Sequence, residues 1–326
     1  MYPAVAKWGY RTSYDAMGLS RDPRVPDAVK RAHVAQHFLN MRFNFPPTPA
    51  YEWLKQLSLT FEAGDSFVWT SNVDGCFSRA GFDPARVYTT QGQMDKFQCA
   101  RAGCGHVWNC VGQLKHIAAA VERGILTDMS RKITCTKCLS TDVRPNLRGG
   151  EWFIHRPYEP VQARLIDWLD DCVTRRLNVA VLEIGVGRNT PVVTQIPATH
   201  FASALGCAGG TVTYLRVNPG PPEPDNCNPS GNGVRFYRWR SKWSVLKTLI
   251  TGLIQRRRAA IPASGGKDTL STHSTGATPI TTGTVPVAAI PASVIATSRS
   301  PPVPVETHRL QHAYTRILMS LRTPRT

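Results

Sequence analysis

The chain has 326 residues and a formal net charge of +17, and 42% of its residues are hydrophobic and 9% aromatic. This length leaves room for one large or two ordinary domains with a sizeable core, and the composition is that of a mainly globular protein. No run approaches the roughly 20 apolar residues that a membrane span needs, which excludes a membrane-spanning helix.

The positive charge is concentrated in the C-terminal third. Residues 227–326 hold 14 Lys and Arg but only 2 Asp and Glu, a net charge of +12. A basic region of this kind can hold a chain near nucleic acid or an anionic surface. It says little about the chemistry of the core, so nucleic-acid binding stays an alternative that is not favoured.

The cysteine count and the first residues predict the compartment. Nine cysteines are an odd number, and residues 1–7 contain no apolar stretch long enough for export. Metal-bound and free thiols in a reducing compartment explain this better than a disulfide framework. We expect an intracellular protein of the cytoplasm, nucleus or mitochondrion.

The first half of the chain predicts two helices and a strand before the cysteine-rich region. Helical spacing of apolar residues covers 26–40 and 51–59. Residues 67–70 form a short apolar strand that stops at the polar pair Ser71-Asn72.

The order of predicted helices and strands in the second half is typical of a parallel α/β sheet. A helix is predicted over 160–174, a strand over 179–184, a helix over 197–205 and a strand over 211–217. Glycine-containing or polar turns follow both strands, and ligands of such sheets bind at the carboxyl ends of the strands.

The last part of the chain predicts a closing helix and a tail. Residues 239–254 have an amphipathic helical pattern. The overlapping stretch 235–243 interleaves basic and aromatic residues, which could also bind nucleic acid through phosphate contacts and stacking. We favour packing of the helix on the core. The composition of residues 257–326 predicts a disordered basic tail, with a short helix over 308–321.

Two cysteine pairs predict a metal site within residues 97–142. The pairs are Cys99-x4-Cys104 and Cys135-x2-Cys138, and each pair supplies two thiolates from one tight turn. Four thiolates leave no open coordination position, so a zinc ion here is expected to be structural. His106 and Cys110 are alternative ligands. For the other cysteines the sequence predicts buried positions at Cys76, Cys172 and Cys207, and an exposed loop thiol at Cys227.

Several motifs in this order resemble the sirtuin family, and most closely its class M, the macrodomain-linked group. The likeness covers roughly residues 8–256, and it is carried by Thr70-Ser71-Asn72-Val73-Asp74, Thr90-Gln91-Gly92, Asn146-Leu147-Arg148 and Gly185-Val186-Gly187. It implies a Rossmann-like NAD-binding α/β domain over 1–256 with a small inserted zinc module. NAD and a protein substrate would meet in the cleft between the two parts.

The resemblance also implies a set of site residues. Asn72 and Asp74 match the positions beside the nicotinamide ribose, Gly185 and Gly187 match the turn against phosphates and ribose, and Asn218 matches a position beside the adenosine half. The residues expected to bind the cofactor are Ser71, Asn72, Asp74, Gln91, Gly185, Gly187, Arg188, Asn189 and Asn218. Arg188-Asn189 stands where many sirtuins have Thr-Ser.

Gln91 decides between the reactions that the family catalyses. Ordinary sirtuins have a His here that acts as general base in deacylation, and a Gln side chain has no proton that titrates near neutral pH. Class M sirtuins share this Gln and are regarded as protein ADP-ribosyltransferases. We therefore expect ADP-ribosyl transfer, with Asn72 and Gln91 stabilising the reacting ribose and Asp74 orienting the site.

One departure from the family keeps other functions open. No Gly-rich pyrophosphate loop precedes Trp8, so either the gene model is truncated or the chain is a non-catalytic zinc scaffold. NAD-dependent deacylation is the remaining alternative within the enzymes.

Overall fold

A computed structural model describes residues 3–12, 15–61, 64–186, 193–218, 228–239, 247–248, 250–255 and 292–298. The fold is mixed α/β. Its helices are α1 (Pro3–Ala6), α2 (Asp27–Leu39), α3 (Pro49–Ser58), α4 (Cys76–Arg79), α5 (Val111–Ala118), α6 (Glu159–Thr174) and α7 (Gln195–Cys207). Its strands are β1 (Ser66–Thr70), β2 (Val87–Thr89), β3 (Gly92–Cys99), β4 (Val107–Asn109), β5 (Val121–Glu122), β6 (Ile125–Leu126), β7 (Val143–Leu147), β8 (Asn178–Ile184), β9 (Thr211–Val217), β10 (Val234–Trp239) and β11 (Ala292–Ser298).

The largest sheet has six strands in the order β10-β9-β8-β11-β1-β2. The pairs β1–β2, β8–β9 and β9–β10 are parallel. β11 is antiparallel to both β1 and β8, so these two strands run in the same direction. Five strands therefore place their carboxyl ends at one edge, and the sheet is mixed where the sequence predicts a parallel one.

The strand β11 corrects the prediction for the C-terminal tail. The sequence predicts disorder throughout 257–326, yet residues 292–298 pair along their whole length with β8, and residues 292–296 also pair with β1. A strand with a neighbour on each side can bond its backbone groups in both directions, which a composition-based prediction does not consider. The remaining tail, including the helix predicted over 308–321, lies outside the described residues.

Apolar residues on both faces of the sheet explain its burial. On one face α6 and α7 pack against Val181, Tyr214 and their neighbours. On the other face α3 and α4 pack against Val68, Leu182 and their neighbours, together with Ile250 from the helical residues 250–255. A sheet covered on both faces explains the apolar runs in β1 and β8.

A second, smaller core lies in the cysteine-rich region. The strands β4-β3-β7 form an antiparallel sheet and β5-β6 form a hairpin. Buried residues of α2 and α5, among them Phe38 and Leu114, share one core with Phe97 of β3 and with Cys99 and Cys135.

The predicted helices and strands between residues 26 and 217 are present in the structure, with bounds shifted by one or two residues. α2 continues beyond Leu39 as a π-helical turn over Asn40–Asn44. The closing helix predicted over 239–254 was wrong at its first residue, because Trp239 is the last residue of the strand β10 at the edge of the sheet. No helix in the described part of the chain is long and apolar enough to cross a membrane.

Candidate functional site

The loop after β1 is fixed by its own backbone and by neighbouring side chains. The amide of Asn72 donates to the Thr70 hydroxyl at 3.0 Å, and the Asn72 side-chain amide donates to the Tyr51 hydroxyl at 3.0 Å. The Asp74 carboxylate accepts from the amide of Cys76 at 2.8 Å. Burial and the nearby Asp74 charge raise the pKa of Tyr51 far above its ordinary value, so the hydroxyl stays neutral.

Gly75 continues this loop in a left-handed conformation, with φ +69°. A Cβ atom there would lie 1.0 Å from Nη1 of Arg42. Arg42 itself donates to the carbonyl of Asp74 at 3.3 Å and pairs with the Asp95 carboxylate at 3.1 Å. The absent side chain of Gly75 therefore lets Arg42 connect the loop after β1 to β3.

The turn that carries Gln91 is held against the end of β1. The amide of Thr90 donates to the Thr70 carbonyl at 3.1 Å. On the other side, the backbone amide of Arg148 donates to the Gln91 carbonyl at 2.9 Å, and Arg148 Nε donates to the Thr90 carbonyl at 3.0 Å. The guanidinium of Arg148 also stacks over Phe153, and partial burial lowers its pKa.

Gly92 allows the backbone of β7 to approach this turn. Its φ is +90°, and a Cβ atom would lie 2.0 Å from the carbonyl oxygen of Asn146. Since the obstacle is backbone, no side-chain rotation could relieve the clash. A residue with a side chain would move the Gln91 turn away from β7.

A buried amide network supports the same turn, and sequence reasoning did not assign it. Asn146 donates to Gln98 Oε1 at 2.7 Å and to the Ile154 carbonyl at 3.0 Å, and it accepts from the Tyr158 hydroxyl at 2.7 Å. Gln98 also donates to the Trp152 carbonyl at 2.7 Å. Asn146 and Gln98 are almost fully buried. Satisfied buried amides fix β3, β7 and residues 152–158 in one arrangement.

Gly185 and Asn218 come together at the ends of β8 and β9. The Gly185 amide donates to the Val217 carbonyl at 2.9 Å, and the Asn218 side chain donates to the Val186 carbonyl at 2.7 Å. Gly185 has φ +62°, a left-handed conformation that favours glycine. The predicted site residues Gly187, Arg188 and Asn189 lie outside the described residues.

The two halves of the candidate site are separated by a single strand. Ala292, the first residue of β11, pairs with Thr70 and with Ile184. Neighbouring strands lie about 4.8 Å apart, so the ends of β1 and β8 are separated by about 10 Å. Loops with Asn72, Gln91, Gly185 and Asn218 thus follow the carboxyl ends of strands at one edge of the sheet.

One row of polar residues crosses the same sheet near that edge. Glu183 of β8 is paired in register with Arg216 of β9, and Arg216 with Arg238 of β10. Arg216 Nε lies 2.7 Å from Glu183 Oε1, and both side chains are buried. Tyr214 also donates to Glu183. Sequence reasoning missed this cluster, because charged residues within a predicted buried strand gave no indication of their partners.

The four predicted cysteines form a cluster. Their sulphur atoms all lie within 4.8 Å of one another, with 3.6 Å between Cys99 and Cys138 and 3.8 Å between Cys104 and Cys135. A tetrahedral zinc site with bonds of about 2.3 Å requires sulphur separations of about 3.8 Å. These distances fit four thiolates around one metal ion, and they are far too long for a disulfide of about 2.05 Å.

The protein environment favours a thiolate at one of these cysteines. A hydrogen bond from the Ser140 backbone lowers the pKa of Cys138 to about 6, whereas burial raises that of Cys99 to about 12. A bound cation would favour the thiolate at all four positions.

The other predicted thiols and ligands lie elsewhere. His106 Nε2 pairs with the Thr136 hydroxyl at 3.0 Å, and Cys110 Sγ lies 3.4 Å from the Asp95 carbonyl, so neither belongs to the cluster. Cys76 and Cys172 are buried, as predicted. Cys207 is exposed, and the prediction for it was wrong because it is the last residue of α7, where the helix turns towards solvent. Cys227 lies outside the described residues.

Comparison with known proteins finds a partial match. The chain is 28% identical over 236 residues to a protein of Fusarium oxysporum f. sp. cubense named "Probable bifunctional ADP-ribose hydrolase/ADP-ribosyltransferase". The match covers 68% of this chain and 36% of that relative, so this chain corresponds to about a third of the relative's length. No protein-family model matches the chain.

Proposed function

We propose that this chain is an NAD-dependent protein ADP-ribosyltransferase of the sirtuin type. The observation that carries the proposal is the position of Asn72 and Gln91, each two residues beyond a paired residue of the neighbouring parallel strands β1 and β2. Carboxyl ends of parallel strands are the usual ligand sites of α/β folds. The name of the Fusarium relative supports ADP-ribose chemistry, although it covers two activities and does not choose between them.

The chain's own groups suit such a site. NAD would supply ADP-ribose as its bond to nicotinamide breaks. Asn72 and Gln91 offer neutral amide groups that stabilise charge without exchanging a proton. Tyr51 fixes the orientation of the Asn72 amide. The Asp74 carboxylate accepts a hydrogen bond from the Cys76 amide within the same loop. Asp74 would therefore shape the site, with its carboxylate already engaged.

Gln91 favours transfer over deacylation within this proposal. Deacylation needs a general base, whose loss typically costs about 10²–10⁴-fold in rate, and Gln91 cannot supply it. A protein side chain would be the acceptor. In the four-cysteine cluster we propose a structural zinc ion, which would hold the small module with β3 and β7 against the Gln91 turn.

The experiment is a calorimetric titration of NAD into the purified, zinc-loaded chain, followed by measurement of nicotinamide release. We expect micromolar binding by the wild type and at least a tenfold weaker affinity in Asn72→Ala and Gln91→Ala. Gln56→Ala is the matched control, since Gln56 is exposed on α3, and it should bind like the wild type. Absence of binding at millimolar NAD by a folded chain would overturn the proposal.

A further inference from the structure

The strands β1 and β8 are held together by a segment from far along the chain. β1 and β8 run in the same direction and are joined through Ala292–Ser298. Each residue of β1 is in register with this segment, and so is each residue of β8. Without it, the interior of the sheet would present two rows of unpaired backbone groups to one another. We propose that the space between β1 and β8 is a strand-binding site, and that residues 292–298 of the same chain are its exchangeable ligand.

The connectivity makes this pairing resemble the binding of a separate peptide. A hairpin partner would lie within a few residues of its strand, whereas β11 starts at residue 292 and its partners end at residues 70 and 184. Because so many residues separate β11 from its partners in the sequence, the effective concentration of β11 at the site is on the order of 1 mM or below. A free peptide of the same sequence at a similar concentration can therefore compete for the site.

The flanking strands define the chemistry of the ligand. Phe67 and Val68 on β1, and Val181 and Leu182 on β8, are buried. In register with them stand Val294 and Ile295, within the sequence Ala-Ser-Val-Ile-Ala-Thr-Ser. This segment carries no charge and contains small and β-branched residues, which suit a strand with neighbours on both sides. We expect a charged residue at its centre to be disfavoured, because the residues of β1 and β8 in register with that centre are buried and apolar.

Occupancy of the site also sets the spacing of two loops. The strands flanking it end at Thr70 and Ile184, directly before the loops that carry Asn72 and Gly185. One intervening strand holds these ends about 10 Å apart. This consequence concerns the backbone alone, so the strand-binding site does not depend on the proposed transferase activity.

The first test is hydrogen exchange by mass spectrometry on the full chain. We expect amides of 292–298 to be protected, and Val294→Pro to remove that protection together with part of the protection of 66–70 and 178–184. The variant should also melt roughly 5–10 °C lower, because a central strand does not tolerate a missing amide. Val287→Pro, in the same tail but outside the strand, is the matched control and should behave like the wild type.

A second test uses a fluorescein-labelled peptide of residues 290–300. We expect it to bind full-length Val294→Pro at least tenfold more tightly than the wild type and to restore the lost melting temperature. The same peptide carrying the proline should not bind. Exchange of wild-type 292–298 at the rate of an unstructured peptide would overturn the proposal, and this holds even if the proline variant fails to fold. Protection that disappears on dilution, together with a dimer, would overturn the intramolecular assignment.

Discussion

Arg42 and Asp95 form an ion pair with 3.1 Å between Nη2 and Oδ2, and their side chains are only 13% and 8% exposed. Arg42 lies in the π-helical turn after α2, and Asp95 lies on β3. Because Arg42 also donates to the carbonyl of Asp74, a single side chain joins α2, the small module and the loop after β1. The candidate site and the small module are thereby mechanically connected.

The ion pair predicts the stability of a matched set of variants. Arg42→Met should destabilise the protein by about 3–5 kcal/mol, because it leaves the Asp95 carboxylate buried without its partner. The double variant Arg42→Met, Asp95→Leu should regain a large part of that loss, since it removes both charges. Denaturant unfolding with a constant m-value would measure the differences.

The control for this set is an exposed pair. Arg24 pairs with Asp22 at 2.6 Å, and its side chain is 71% exposed. Arg24→Met should cost much less than Arg42→Met, because solvent screens surface pairs. An equal loss in Arg42→Met and Arg24→Met would show that the buried pair has no special role.

Gly92 predicts a steric effect that can be separated from backbone strain. Gly92→Ala should destabilise by about 1–2 kcal/mol for the left-handed φ and by a further 1–3 kcal/mol or so for the clash with the Asn146 carbonyl. Gly9→Ala is matched in φ, with φ +89° and nothing within 4 Å of its Cβ. It should show the first contribution alone.

Ligand binding extends the Gly92 prediction to the candidate site. Under the proposed function, Gly92→Ala should also weaken NAD binding, because the clash displaces the Gln91 turn, while Gly9→Ala should leave affinity unchanged. Calorimetry on both variants measures this. If the two variants have equal stability and equal affinity for NAD, the backbone of β7 at Asn146 moves aside at little energetic cost.

Local patterns in the sequence predicted much of the fold. The features that were not predicted depend on pairing between residues that are distant in the sequence. α2, α6 and β8 each carry their apolar period within a short window, so their positions were predictable. β11 has two large apolar residues in a Thr-, Ser- and Pro-rich stretch, and its strand conformation depends on β1 and β8. The predicted end of β1 also placed Asn72 directly after a strand, whereas the short strand β2 before Gln91 was not predicted. Arg42–Asp95 and Gln98–Asn146 were missed, because burial of a polar side chain depends on a partner that is distant in sequence.

The cysteine cluster predicts a metal dependence. Elemental analysis should find one zinc ion per chain in the wild type and little in Cys138→Ser, which loses one of four thiolates. Zinc removal by a chelator should lower the melting temperature by roughly 10 °C or more, because metal binding in such modules contributes directly to folding.

A second cysteine variant separates metal loss from thiol loss. Cys207→Ser removes an exposed thiol outside the cluster, so zinc content and melting temperature should remain at the wild-type values. Full zinc content in Cys138→Ser would contradict a four-thiolate site and point to a replacement ligand.

His33 predicts how stability depends on pH. Its side chain is buried on α2, stacked on His37, and burial lowers the pKa of His33 from 6.5 to about 4. The folded protein therefore resists protonation, whereas the unfolded chain takes up a proton below about pH 6.5. Stability should fall as the pH falls from 6.5 to about 4, by on the order of 2–3 kcal/mol from this residue.

His33→Gln should remove this part of the pH dependence. His200→Gln, at an exposed position on α7, should retain it. Unfolding free energies measured between pH 4 and pH 7.5 for the three proteins would decide, and parallel curves for wild type and His33→Gln would show that His33 is protonated as readily in the folded state as in the unfolded chain.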